Sequence, residues 1–134
     1  MTLQVGVKAL IRNSQQQYLF LRRSAPLSTD KDEPSWDIPG GRIQADESLI
    51  DALRREVREE IGYNISGEPQ LLRAQDIFVP AKELHVVRLT YVLEEDATEI
   101  QLSGEHDAYE WVDEANVAAV SAEPYLAEVL KTLS

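Results

Sequence analysis

The chain has 134 residues, 43% hydrophobic and 28% charged, which is typical of a single globular domain over residues 1–134. Its net charge is −11, so we expect no nucleic-acid polymer as a partner, because such partners require a basic surface. The absence of cysteine excludes disulfides, thiolate metal sites and cysteine nucleophiles. The sequence lacks a signal-peptide pattern and any apolar run of about 18 residues, so we expect a cytoplasmic protein with no membrane partner.

The chain begins with a predicted β-hairpin followed by a long loop. Leu3 to Ile11 is rich in β-branched and small apolar residues and predicts a buried strand. Asn13-Ser14 predicts a turn, and Tyr18 to Leu21 predicts a second strand that pairs with the first. Ser24 to Ser35 predicts a loop, and loops of this length in a small domain are often functional.

A short extended segment then leads into a helix. Trp36 to Ile38 precedes Pro39-Gly40-Gly41; proline disfavours helix in the residue before it, and glycine permits unusual backbone angles. The apolar periodicity predicts a helix over residues 47–61. Asp46 or Ser48 can cap the start of this helix, and Gly62 can end it.

The second half of the chain predicts three strands, at Leu71–Val79, Leu84–Leu93 and Ala108–Val112. Two closing helices are predicted at Asp113–Val120 and Glu123–Leu130. Pro80 marks the connection between the first two strands, and the acidic segment 94–99 predicts a loop. Strands on both sides of one central helix favour an α+β layered domain over a regular βαβ array.

The central helix carries carboxylates beside an apolar stripe. At about 100° per residue, every fourth residue lies on the same face. The stripe consists of Leu49, Leu53, Val57 and Ile61. Glu56 and Glu60 share a neighbouring face, and Glu59 flanks it. Three carboxylates therefore converge at one side of the helix.

This helix face alone allows two interpretations. Three arginines alternate with the acids: Arg54, Arg55 and Arg58. A solvated, salt-bridged surface is therefore one interpretation. The other is a Mg²⁺ site, because Mg²⁺ prefers carboxylate oxygens. Metals that require imidazole or thiolate are disfavoured, since His85 and His106 are the only histidines and cysteine is absent.

The spacing from Gly41 to Tyr63 resembles the Nudix box of MutT-like hydrolases. That pattern is glycine, five residues, glutamate, seven residues, then Arg-Glu-aliphatic-any-Glu-Glu-any-Gly-aliphatic. Every charged and glycine position is filled, and Tyr63 replaces the closing aliphatic residue. Trp36 to Gly41 also resembles the usual lead-in to the box. The resemblance favours the metal site and implies the Nudix fold, an α/β/α sandwich with a central mixed β-sheet and the box as loop–helix–loop.

The resemblance implies a cation site for Mg²⁺, with Mn²⁺ able to substitute. Glu56 and Glu60 would be direct ligands, and Glu59 would be a third ligand or the base that orients water. The backbone carbonyl of Gly41 would add another oxygen. Two further box residues would form a structural salt bridge between loop and helix: Glu47 and Arg55.

Residues 102–112 resemble the region in which several Nudix subfamilies carry a catalytic base. Glu105 is predicted to be a metal ligand or this base, the alternative being a solvent-exposed loop acid. His106 is expected to orient the loop. Four residues are predicted to bind substrate, through base stacking or phosphate contacts: Arg22, Arg23, Trp36 and Tyr109. Arg88 is a weaker candidate for a substrate contact.

The implied activity is Mg²⁺-dependent hydrolysis of a diphosphate bond in a small nucleotide, by a monomer or homodimer. A nucleoside or deoxynucleoside triphosphate is the preferred substrate. ADP-ribose or another nucleotide sugar, and a dinucleoside polyphosphate, are the alternatives. A Nudix-like sensor that binds nucleotide without hydrolysing it is a different class of function. The intact glutamates of the box favour the enzyme.

Overall fold

A computed structural model of the protein describes residues 1–24, 35–121 and 123–133, so most of the predicted loop Ser24–Ser35 lies outside the described residues. The strands are β1 Thr2–Arg12, β2 Gln17–Arg23, β3 Trp36–Asp37, β4 Gly40–Arg42, β5 Gln70–Val79, β6 Leu84–Glu94 and β7 His106–Asp113. The helices are α1 Leu49–Ile61, α2 Val117–Val120 and α3 Pro124–Lys131, with 3₁₀ turns at Pro80–Lys82 and Glu114–Asn116. Among the described helices, none has the length and apolar character needed to cross a bilayer.

The strands form one mixed sheet. Its main path runs β3-β2-β1-β6-β5, while β4 pairs with β1 and β7 pairs with β2. β1 is parallel to β6 and antiparallel to β2 and β4. One edge of β1 is therefore shared, with β4 along its first half and β2 at its end. This division brings the Gly40-Gly41 backbone into the middle of the molecule.

Helices cover both faces of the sheet, which confirms the predicted α+β sandwich. On one face, Val7 and Ile11 of β1 form a buried cluster with Leu53 and Val57 of α1. On the other face, a second cluster joins the strands to α3, and its members include Leu10, Phe20 and Leu126. Each such side chain contributes about 1.5–3 kcal/mol of hydrophobic stabilisation when fully buried.

Helix α1 ends at the predicted residue Ile61 and begins at Leu49, two residues after the predicted start at residue 47. Ser48, rather than the alternative Asp46, is the N-cap, and its side chain accepts a 3.1 Å hydrogen bond from the Asp51 N–H. Gly62 ends the helix in a left-handed conformation with φ of 68° and donates to the Arg58 carbonyl. The predicted apolar stripe is buried at its last three positions and half-buried at Leu49.

Two elements differ from the sequence prediction. Strand β4 was not predicted, because Gly40-Gly41 has turn chemistry and becomes a strand only by pairing with residues 6–8 of β1. The predicted helix Asp113–Val120 is instead a 3₁₀ turn followed by the short helix α2. Neither start has a side-chain cap, so local sequence does little to extend one continuous helix there.

Candidate metal centre

Strand β4 places the Gly40 backbone against the last turn of α1. The Gly40 N–H donates a 2.7 Å hydrogen bond to Oε2 of Glu60. Gly40 has a φ of +149°, and a Cβ there would lie 2.1 Å from the Val7 carbonyl oxygen. Only glycine fits this position without displacing backbone, so the contact between β4 and Glu60 depends on it.

The next residue, Gly41, lies equally close to Glu56. A Cβ on Gly41 would be 2.6 Å from Oε1 of Glu56, so a side chain there would have to displace the carboxylate. The two glycines thus bring the main chain of β4 against both predicted ligand glutamates.

Glu60 is a buried carboxylate with few compensating partners. Its side chain is 6% exposed, and in the described part of the chain it accepts one hydrogen bond, from Gly40. Burial raises the pKa of Glu60 to about 8, with smaller contributions from the nearby charges of Glu56 and Glu105. Burial also raises the pKa of Glu56. Arg55 pairs with Glu56 and the charge of Lys8 lowers the pKa of Glu60, but these effects offset burial only in part, and a bound cation would add further positive charge.

A loop distant in sequence completes the centre. The Ser103 N–H donates to the Glu60 carbonyl at 3.2 Å, and the Glu105 carbonyl accepts from the Ser24 N–H at 2.9 Å. Carboxylate oxygens of Glu60 and Glu105 and a ring nitrogen of His106 consequently lie within 4.8 Å of one another. Burial lowers the pKa of His106. Glu105 is exposed, so solvent reaches this side of the centre.

Arg55 organises the other side of the helix. Its Nε and Nη2 donate to the two oxygens of Glu47 at 2.7 and 3.0 Å, which is the expected ion pair. Its Nη1 donates to Glu56 at 2.9 Å and to Glu59 at 3.2 Å, and Nη2 also reaches the Arg42 carbonyl. The hydrogen bonds with Glu47 raise the pKa of Arg55 and lower that of Glu47.

Glu59 lies apart from the other predicted ligands. Its side chain is 57% exposed and pairs with Arg55. It does not belong to the group formed by Glu60, Glu105 and His106. Among the described residues, Glu56 also lies outside that group, but its carboxylate abuts Gly41 beside the Gly40–Glu60 hydrogen bond, whereas Glu59 lies at the solvent-exposed border of the centre.

The predicted substrate residues occupy both faces of the sheet. Arg22 donates to Asp107 at 2.6 Å and lies over the Trp36 ring, with 5.8 Å from its Cζ to the ring centroid. Tyr109 pairs with Leu21, whose side chain belongs to the cluster under α1, whereas Trp36 packs on the opposite cluster. The two aromatic rings therefore do not form one stacking surface. Arg23 pairs with His106 at the end of β2.

A groove of about 230 Å³ borders the centre and includes basic residues that the sequence analysis did not emphasise. Its lining includes Gly6 and Lys8 of β1, Gly41 and Arg42 of β4, and Arg88 of β6. Lys8 was not predicted to line a site because it lies within a predicted buried strand. It lies beside β4 only because β1 pairs with β4, which is distant in sequence. Arg88, the weaker candidate, is held by hydrogen bonding.

Two contacts fix the position of Arg88 at the groove. Its Nη1 donates to Glu123 at 3.0 Å, and its Cζ lies 6.0 Å from the Tyr125 ring centroid. These contacts tie the end of the groove to α3. The guanidinium is therefore positioned before any ligand arrives, which lowers the entropy cost of binding an anionic or polar group.

The donor atoms fit a divalent cation. Glu56, Glu60 and Glu105 supply hard oxygen atoms, and the Gly41 backbone lies directly beside the Glu56 carboxylate. Burial raises the pKa values of Glu56 and Glu60, and neighbouring carboxylates raise them further, while Arg55 and Lys8 oppose these shifts.

Comparison with known proteins agrees with this geometry. A family model described as "NUDIX domain" matches residues 2–133. A Bacillus subtilis (strain 168) protein, provisionally named an 8-oxo-dGTP diphosphatase, is 42% identical over 59 residues, which are 44% of this chain and 35% of that protein. The m7GpppN-mRNA hydrolase NUDT17 of Danio rerio is 32% identical over 87% of this chain and 43% of its own length. The chain thus spans less than half of each of these curated relatives.

A solved structure shows the same fold at nearly full length. The MutT protein from Methanosarcina mazei Go1 superimposes with a TM-score of 0.80 and 30% sequence identity. The match covers 96% of this chain and 91% of that one. The shared architecture therefore includes both the sheet and the helix that carries the glutamates.

Proposed function

The chain belongs to the Nudix domain family, and we propose that it hydrolyses a diphosphate bond in a nucleoside diphosphate derivative with the aid of Mg²⁺. The observation that carries this proposal is the contact of Glu56 and Glu60 with the Gly40-Gly41 backbone, with Glu105 beside Glu60. A salt-bridged surface would leave these acids solvated and paired. Glu56 does pair with Arg55, but Glu60 is buried and forms no ion pair among the described residues, and burial raises its pKa to about 8.

Glu56, Glu60 and the Gly41 carbonyl are the proposed cation ligands. Glu105 has two proposed roles, since one carboxylate oxygen can contact the cation while the other accepts a proton. When bound, the cation would neutralise the diphosphate oxygens and make water more acidic. Glu47 and Arg55 keep the loop and α1 together through their paired hydrogen bonds.

We assign Glu105 rather than Glu59 as the general base. Glu105 is solvent-exposed yet lies beside Glu60, so it can reach a water molecule at the centre. Glu59 is instead engaged by Arg55 at 3.2 Å. In the reaction, Glu105 takes the proton from the water that attacks phosphorus, and the bond to the bridging oxygen breaks. The products are two phosphorylated molecules.

The groove beside Gly41 is the proposed nucleotide site. Three basic residues line it: Lys8, Arg42 and Arg88. Lys8 is already paired with Asp37 at 2.8 Å and Arg88 with Glu123 at 3.0 Å, so a polyphosphate would compete with these carboxylates. The net charge of −11 disfavours a long RNA. A nucleoside or deoxynucleoside triphosphate is the proposed substrate, giving a monophosphate and pyrophosphate. The 8-oxo-dGTP named for one relative supports this class.

A chromatographic screen with Mg²⁺ tests the activity and the substrate class together. It compares nucleoside triphosphates, including oxidised forms, with ADP-ribose, dinucleoside polyphosphates and a capped RNA. We expect the highest kcat/KM for a triphosphate. A higher kcat/KM for another substrate class would replace the triphosphate as the proposed substrate and would leave the proposed hydrolase activity standing. Nucleotide binding without hydrolysis of any of these compounds would instead make the protein a sensor.

Two matched variants test the base. Glu105→Gln is expected to lower kcat by roughly 10²–10⁴-fold, because it removes the group that accepts the proton. Glu59→Gln is expected to change kcat by less than about threefold, since Glu59 is not assigned the proton transfer. If Glu105→Gln retains turnover within about threefold of the unmodified protein, the assignment of the base is wrong.

A further inference from the structure

His106 is the member of the candidate centre that the sequence analysis assigned only to loop orientation. One of its ring nitrogens lies within 4.8 Å of carboxylate oxygens of both Glu60 and Glu105. In addition, its Nδ1 atom is buried and has no hydrogen-bond partner among the described residues. A buried ring nitrogen without a partner is unfavourable, whichever tautomer is present, and therefore requires an explanation.

The spacing is compatible with a single shared ion. Ligand atoms about 2.1 Å from an octahedral cation lie about 3 Å apart in neighbouring positions and about 4.2 Å apart in opposite ones. The candidate ligand atoms of Glu60, Glu105 and His106 lie within 4.8 Å of one another, which is close to this range. A small inward adjustment of side chains would bring all three to one ion.

The backbone already holds His106 in place. Its N–H donates to the Ser103 carbonyl at 3.2 Å, and Ser103 in turn donates to the Glu60 carbonyl at 3.2 Å. At the start of β7, His106 also pairs with Arg23 of β2. The imidazole therefore does not need a side-chain hydrogen bond to orient the loop, which leaves its unpartnered nitrogen without a structural task.

We propose that His106 is a direct ligand of the cation, so that the centre has mixed oxygen and nitrogen donors and prefers first-row transition ions such as Mn²⁺ and Co²⁺ to Mg²⁺. This inference rests on the proposed function, because it assumes that the cation binds at Glu60 and Glu105. An imidazole nitrogen is a poor ligand for Mg²⁺ and a good one for later transition ions. Adding it to a carboxylate site therefore changes selectivity, not merely affinity.

The chain offers one matched control, since its other histidine lies elsewhere. The His85 ring stacks on Phe78 with centroids 4.4 Å apart, and its Nε2 lies 2.8 Å from Asp76. These residues belong to β5 and β6, away from the Glu60, Glu105 and His106 group. His85→Asn therefore removes one imidazole without touching the centre.

The decisive experiment is pulsed electron paramagnetic resonance of the full chain with stoichiometric Mn²⁺. A directly coordinated imidazole nitrogen modulates the electron spin echo of Mn²⁺. We expect this modulation in the unmodified protein and in His85→Asn. Isotopic labelling of histidine nitrogen should change its frequencies, and His106→Gln should abolish it while Mn²⁺ remains bound. The measurement on the unmodified protein does not depend on whether the variant folds.

Binding measurements give a second readout without turnover. Titration calorimetry should show that His106→Gln lowers the affinity for Co²⁺ and Mn²⁺ by roughly 10–100-fold. The affinity for Mg²⁺ should fall by less than about threefold. His106→Asn, a smaller substitution, should give the same order of effects. Thermal unfolding without metal verifies that each variant is folded before the titration.

The outcomes separate this inference from the proposed function. Stoichiometric Mn²⁺ binding without nitrogen modulation, or equal weakening of Mg²⁺ and Co²⁺ by His106→Gln, would overturn the role of His106 and leave the hydrolase intact. Failure of Mn²⁺ and Mg²⁺ to bind the unmodified protein would overturn both.

Discussion

Two buried glutamates of this molecule have nearly the same exposure but opposite electrostatic surroundings. Glu60 is 6% exposed and Glu95 is 7% exposed. Burial raises the pKa of Glu60 to about 8. Burial would also raise the pKa of Glu95, but hydrogen bonds from Gly67, Tyr63 and Ser66 lower it below its usual value. The fold compensates the charge of Glu95 with several hydrogen bonds and compensates that of Glu60 less completely.

Local structure explains the difference. The loop after α1 wraps around Glu95, which accepts the Ser66 and Gly67 N–H groups at 2.8 and 2.7 Å and the Tyr63 hydroxyl at 2.7 Å. Glu60 instead accepts a single side-chain hydrogen bond among the described residues, from the Gly40 N–H, and the charge of Lys8, which lowers its pKa, is opposed by the charges of Glu56 and Glu105, which raise it. A buried carboxylate surrounded by donors ties chain segments together, whereas one surrounded by carboxylates indicates a cation site.

Exchanging each carboxylate for an amide should separate the two roles most strongly. Glu60→Gln is expected to lower kcat by more than about 10²-fold, because the amide is a poor cation ligand, while changing metal-free stability by less than about 1 kcal/mol. Glu95→Gln is expected to lower the free energy of unfolding by about 2–3 kcal/mol with little change in kcat below the melting transition. Kinetics and urea denaturation of both variants provide the measurements.

The reverse pattern, with Glu60→Gln unstable and active and Glu95→Gln stable and inactive, would contradict the assignment of function to Glu60. Calorimetric Mg²⁺ titration is the control for both variants. Only Glu60→Gln should lose cation affinity.

A glycine donates to each glutamate, and substitutions there sharpen the contrast. Gly40→Ala should lower the free energy of unfolding by about 2–4 kcal/mol, because φ is +149° and the new Cβ would lie 2.1 Å from the Val7 carbonyl oxygen. Gly67→Ala should cost less than about 1 kcal/mol, since its Cβ would lie 3.4 Å from the nearest atom, Oε1 of Glu95. Urea denaturation measures both values. Equal losses would show that the Gly40 backbone is not constrained as described.

The smallest expected effect is the contribution of Glu95 to acid sensitivity. Because its folded-state pKa lies below the ordinary value of 4.5, ionised Glu95 stabilises the fold at higher pH. This contribution is complete above the unfolded-state pKa and is lost as the pH falls through the lowered folded-state pKa. The unmodified protein should therefore lose stability more steeply than Glu95→Gln between about pH 5 and 3. If the free energy of unfolding, measured by urea denaturation, fell equally with pH in the two proteins over that interval, this effect would be contradicted.

The sequence predicted those features that depend on neighbouring residues. Ser48 and Gly62 bound α1 because capping and left-handed termination are local properties. The Glu47–Arg55 pair followed from the box spacing and is present. The position of β4 could not be predicted in this way, since the Gly40-Gly41 strand exists only through its pairing with β1.

Contacts between segments distant in sequence explain why the other features were not predicted. Lys8 and Arg88 come together because β1 and β6 are parallel neighbours, although about half the chain separates them. His106 was interpreted as a loop residue because its approach to Glu60 requires the folded Ser103 turn. A signal was available in the adjacent Glu105-His106 pair, since an acid followed by a histidine offers two metal-ligating atoms.

The Arg55 hydrogen bonds have a consequence for how this protein can diversify. One guanidinium joins the loop before α1, the helix itself and the Arg42 carbonyl. The segment that carries the glutamates is therefore an internally braced unit, whereas Lys8 and Arg88 of the groove belong to strands outside that bracing. Because β1 also holds β4 and packs against α1, substitutions of its buried residues would disturb the glutamates, whereas Arg88 of β6 can change without breaking any Arg55 hydrogen bond. If the groove binds the ligand as proposed, ligand preference can therefore change at β6 while the braced glutamates stay in place.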